Sequence, residues 1–94
     1  MDIEDMRDEL HRCVAAQPAL AHIGVKKYGS SLILFSGDDR DEQKHARLSH
    51  ISGKNWQLSF PHHSGRWEKT PFMGSPTELL DLLVSDFSFY LEQN

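Results

Sequence analysis

The sequence predicts an α+β fold: an antiparallel meander sheet in the order α-β-β-β-β-β-α, with two helices packed on one face, in a single domain spanning residues 1–94. Three observations predict it. Apolar residues recur at helical spacing only near the two ends of the chain. The middle alternates apolar with polar residues at the period of a half-buried strand, and the connections are short. With 94 residues, 38% of them hydrophobic and 26% charged, the chain has the composition of a globular protein and the length for one core.

Over residues 2–16, Ile3, Met6, Leu10, Cys13 and Val14 recur at spacings of three and four and form one helical stripe. Asp2 is the expected cap, acids in the first turns suit the helix dipole, and Gln17-Pro18 stops the helix because the residue before proline disfavours the α region. Residues 22–28 and 31–36 read as strands joined by Gly29-Ser30, a two-residue link that suits a type II′ turn. Residues 37–42 are polar and without period, which predicts a solvated loop.

From Lys44 onward the alternation places His45, Arg47 and Ser49 outward and Ala46 and Leu48 inward. After a turn at 52–55, Trp56, Leu58 and Phe60 share the core face of the next strand, which ends at Pro61. A short strand over 66–69 is expected to put Trp67 with the other aromatics and Arg66 and Glu68 outward, and Thr70-Pro71 to close it. Ser75-Pro76-Thr77-Glu78 has the pattern of a capping box, with proline at the first helical position. The helix it opens, near 76–92, is apolar at Leu80, Val84, Phe87, Phe89 and Leu91 among others, a stripe wider than one sheet contact needs. A homodimer through this C-terminal helix is the expected cover for the surplus.

Charge is polarised along the chain. Residues 1–21 carry five acids against Arg7 and Arg12, residues 71–94 carry four acids and no base, and residues 22–70 carry eight bases against five acids. Combined with the expected fold, this puts acidic helices on one side and a polar sheet face rich in His and Arg on the other. The total of −4 and the lack of a long basic stripe argue against nucleic acid as the main partner, since such binding rests on phosphate neutralisation. No apolar run approaches the roughly 20 residues of a membrane-spanning helix, and the acidic N-terminus does not resemble a signal peptide, so a cytoplasmic location without membrane contact is expected.

Motifs for catalysis are sparse. His62-His63 are adjacent in an extended segment, point to opposite sides, and make a poor metal pair even with His45 and Asp38 added. Cys13 falls on the apolar helix stripe and reads as a small hydrophobe rather than a nucleophile. There is no phosphate-binding glycine loop, so no cofactor is expected. The leading expectation is a non-catalytic protein-binding module of bacterial type, such as an immunity, antitoxin or inhibitor protein. Its partner-binding candidates are Arg47, Arg66 and His45 on the sheet face, with Phe72 and Phe89 as apolar contacts. The alternative is a small RNA-binding or metal-independent RNA-cleaving protein, with His45 as the base and Arg47 and Arg66 on the phosphate.

Overall fold

A computed structural model, which describes residues 2–38, 40–62 and 64–92, shows the elements in the expected order. They are α1 (Ile3–Ala15), β1 (Gly24–Tyr28), β2 (Ser31–Ser36), β3 (Gln43–Ser52), β4 (Asn55–Pro61), β5 (Trp67–Gly74) and α2 (Pro76–Asp86), with 3-10 turns at Pro18–Leu20 and Ser88–Leu91. The strands form one antiparallel sheet in chain order. At the β1–β2 turn Gly29 has φ 59° while no described residue other than glycine has positive φ, which is the II′ pattern expected of Gly29-Ser30.

Both helices cover the same sheet face. Leu10 and Val14 of α1 and Leu79, Leu80 and Leu83 of α2 are buried in one cluster with Val25, Leu32, Leu34, Ala46, Leu48, Trp56, Leu58 and Phe60 of the sheet. Cys13 packs half-buried against it, in line with its place on the stripe. The capping box is formed: Ser75 Oγ accepts from Glu78 N at 3.2 Å, and Glu78 Oε1 accepts from Ser75 N at 3.2 Å. Ser75→Ala should therefore cost about 1 kcal/mol in urea unfolding, through loss of the acceptor for an otherwise unpaired N–H. No effect would mean that water replaces the cap.

Three expectations are corrected by the structure. The first concerns His45. Leu34 pairs with Ala46 but Phe35 pairs with Lys44, so His45 is the extra residue of a β-bulge. The bulge turns its side chain to the helical side, where it is buried, and moves Lys44 onto the outer face opposite Phe35.

The second concerns Trp67. Pro61 pairs with Trp67 and Phe60 with Glu68, and because Phe60 faces the core its partner Glu68 shares that side while Trp67 faces outward. The strand also runs on to Gly74 rather than stopping at Pro71. Ser59 pairs with Lys69 and Gln57 with Met73, leaving residues 70–72 as a bulge opposite Leu58. Side chains replace the missing ladder: Thr70 Oγ1 donates to Leu58 O at 2.8 Å and accepts from Phe72 N at 3.2 Å, while Gln57 Nε2 donates to Thr70 O at 3.0 Å. A proline is tolerated there because β5 is an edge strand and the position lies in a bulge.

The third concerns the C-terminal helix, which stops at Asp86. Phe87 leaves helical geometry at φ −130° and ψ 32°, and the 3-10 turn folds back over the sheet end. Leu80 and Leu91 are each 2% exposed, and Phe87 and Tyr90 are half-buried against the core, with Tyr90 stacked on Phe60 at 3.9 Å between centroids. Most of the apolar surface read as surplus is thus covered within the molecule, and of that set Phe89 stays exposed.

Candidate functional site

The sheet face opposite the helices is the candidate site. Across the five strands Lys26 pairs with Ile33, Ile33 with Arg47, Arg47 with Ser59 and Ser59 with Lys69, so these residues form one row on one face. A parallel row carries Tyr28, Ser31, Ser49, Gln57 and Met73. The cations stand on alternate strands, about 10 Å apart at the usual strand spacing.

Arg47 occupies the centre. Its Nε donates to Ser31 Oγ at 3.0 Å, and Ser31 in turn donates to Ser49 Oγ at 3.3 Å. Its guanidinium carbon lies 5.9 Å from the Tyr28 ring centre and 6.0 Å from that of Trp67, within cation–π range of both. Beneath these long side chains Ser31, Ile33 and Ser59 are 1–3% exposed although no helix covers this face. Lys26 pairs with Glu42 and lies 5.1 Å from the Phe35 ring centre. Among the described residues no carboxylate pairs with Arg47, Lys44 or Lys69.

The helical side has the opposite sign. Asp2, Glu4, Asp5, Asp8, Glu78, Asp81, Asp86 and Glu92 are exposed there, answered by Arg7, 2.7 Å from Asp8, by Lys27 at the sheet edge, 3.9 Å from Glu4, and by exposed Arg12, so acids still outnumber bases on that side. The polarity inferred from the chain is therefore a property of two faces.

Comparison with known protein families, curated proteins and solved structures finds no match to this chain.

Of the expected contact residues, only Arg47 lies in the row. Arg66 sits in the β4–β5 turn, exposed, with its carbonyl accepting from His62 N at 2.8 Å. Phe72 and Phe89 are exposed at the far end of the sheet, in an aromatic cluster with Phe87. His45 is 1% exposed: Nδ1–H donates to Tyr90 O at 2.7 Å, and Nε2 accepts from Ser36 Oγ at 2.8 Å. It is a structural tie for the C-terminal turn, held below the ordinary histidine pKa first by burial and then by nearby His22, against the raising effect of the Tyr90 carbonyl. His22 makes a second tie, donating Nε2–H to Leu91 O at 2.6 Å. The sequence alternation assigns Trp67 to the core and gives Tyr28 and Ser31 no role at the site; only the cross-strand register brings the three to Arg47.

No histidine of the described residues stands in the two central rows. His50 pairs with Trp56 at the β3–β4 end, and His62 bonds Ser64 and Glu68. His63 and Asp39 lie outside the described residues. Among those described, no three His, Cys, Asp or Glu side chains converge as metal ligands, and no helix is long and apolar enough to cross a membrane. A concavity of about 450 Å³ on the helical side, floored by Ile3, Met6, Trp56 and Pro76, holds Glu9, His50 and Lys54 and so has no single charge sign.

Proposed function

We propose that this chain is a non-catalytic protein-binding module that docks an acidic partner on its outer sheet face, in the manner of an inhibitor or immunity protein masking a charged site. The observation that supports this most is the row of Lys26, Arg47 and Lys69 on a face no helix covers, in which Lys26 is paired with Glu42 while Arg47 and Lys69 meet no carboxylate among the described residues, backed by an acidic opposite face. Such a dipole orients an approaching acidic surface and repels it from the wrong side. Cleavage of RNA is the weaker reading because the base it assigned, His45, is buried away from the face and already occupied on both ring nitrogens.

The test uses poly-glutamate as the acidic probe and oligouridylate as the nucleic-acid probe, read by Trp67 fluorescence. Saturable, salt-weakened binding of poly-glutamate should be lost in Lys26→Glu/Arg47→Glu/Lys69→Glu and largely kept in Arg66→Glu, whose position is outside the row. No RNA cleavage is expected with or without divalent metal. Tighter binding of oligouridylate than of poly-glutamate, or cleavage of RNA, would reverse the reading.

A further inference from the structure

We propose that Arg47 is the receptor for a single side-chain carboxylate of the acidic partner, oriented by Ser31 and by the Tyr28 and Trp67 rings so that its terminal nitrogens grip both carboxylate oxygens. This rests on the docking role given to the outer face. A guanidinium has five N–H donors in a rigid fork, and their geometry decides what it binds. The Nε–H is used by Ser31 Oγ at 3.0 Å. The four donors on the terminal nitrogens meet no acceptor among the described residues.

Three features hold the fork still before any ligand arrives. Ser31 donates its hydroxyl hydrogen bond to Ser49 Oγ at 3.3 Å, which keeps a lone pair of Ser31 turned toward Arg47. Two aromatic rings lie within 6.0 Å of the guanidinium carbon, one from each edge strand. The floor of Ser31, Ile33 and Ser59 is almost free of solvent contact, so a carboxylate arriving there meets the fork over a water-poor surface. A charge-assisted bidentate pair is strongest under those conditions, and little rotamer freedom is left to lose.

A carboxylate is favoured over a run of phosphates by the arrangement of charge. Lys26 is already paired with Glu42, which leaves Arg47 and, two strands away, Lys69 as separate cations in the row rather than a continuous cationic track. One guanidinium fork between two rings matches a single carboxylate in size and geometry. Ser31 is then a positioning residue, and Lys69 adds only long-range attraction.

The experiment measures poly-glutamate affinity by Trp67 fluorescence for the wild type, Arg47→Lys, Ser31→Ala and Lys69→Met, with folding checked by circular dichroism. Arg47→Lys keeps the charge but loses the fork, and should weaken binding about tenfold or more. Ser31→Ala should weaken it roughly two- to tenfold by freeing one rotamer-rich side chain, and Lys69→Met about two- to fivefold. Arg47 Nε–H should be observable by NMR in the free wild type and exchange faster in Ser31→Ala, a signature of positioning that a packing defect does not produce. If poly-glutamate binds the wild type and Arg47→Lys equally, the fork is overturned while the docking face stands. If poly-glutamate does not bind at all, both fall, and if oligouridylate alone shows the Arg47→Lys loss, the ligand group is a phosphate and the carboxylate assignment is wrong.

Discussion

Trp56→Ala should destabilise the protein by about 3–5 kcal/mol, whereas Trp67→Ala should cost about 1 kcal/mol. From sequence the two tryptophans looked alike, each flanked by polar residues on a short strand. In the structure Trp56 is 3% exposed beneath the helices, with the His50 ring 4.8 Å away, and its removal leaves a cavity bounded by elements that cannot all collapse inward. Trp67 lies half-buried on the outer face, where water fills the space it leaves. Urea unfolding of both variants measures the difference. Equal and large costs would return Trp67 to the core and remove one wall of the proposed carboxylate slot.

His45→Ala should cost about 3 kcal/mol, because it strands the Ser36 hydroxyl and the Tyr90 carbonyl in the interior. It should also change how stability depends on pH. The folded protein holds His45 below its ordinary value of 6.5, chiefly by burial, so the unfolded chain takes up the proton first as pH falls. Its contribution is complete above about 6.5, declines as pH falls below that value, and is gone once pH has passed through the lowered folded pKa. Urea midpoints of the wild type should drop on acidification through this window, and the His45 share of that slope should vanish in His45→Ala. A wild-type stability flat through the window would contradict the burial of a neutral imidazole.

The element order, the helix boundaries at Asp2 and Ser75, and the Gly29-Ser30 turn were legible in the sequence because each follows from contacts within a few residues. A capping box needs only Ser75 and Glu78, and a hydrophobic stripe needs only spacing. The segregation of charge was legible for a related reason, since helices at the chain ends and strands in the middle sort the acids and bases without further information. What the sequence could not reveal was which way a residue faces after a bulge.

One added residue at His45 reverses a side chain, and the pairing of Phe60 with Glu68 sends Trp67 outward; both are settled by register between strands, not by local preference. The break at Phe87 is likewise made by distant partners, because the carbonyls of the turn that follows are held by histidines 45 and 69 residues away in the chain. By itself the sequence determined an α+β meander with acidic helices and a cationic sheet, since period, caps and net charge are local sums. The tertiary structure decided that the site is Arg47 between Tyr28 and Trp67 rather than a His/Arg pair, because three separate strands must be in register before those side chains meet.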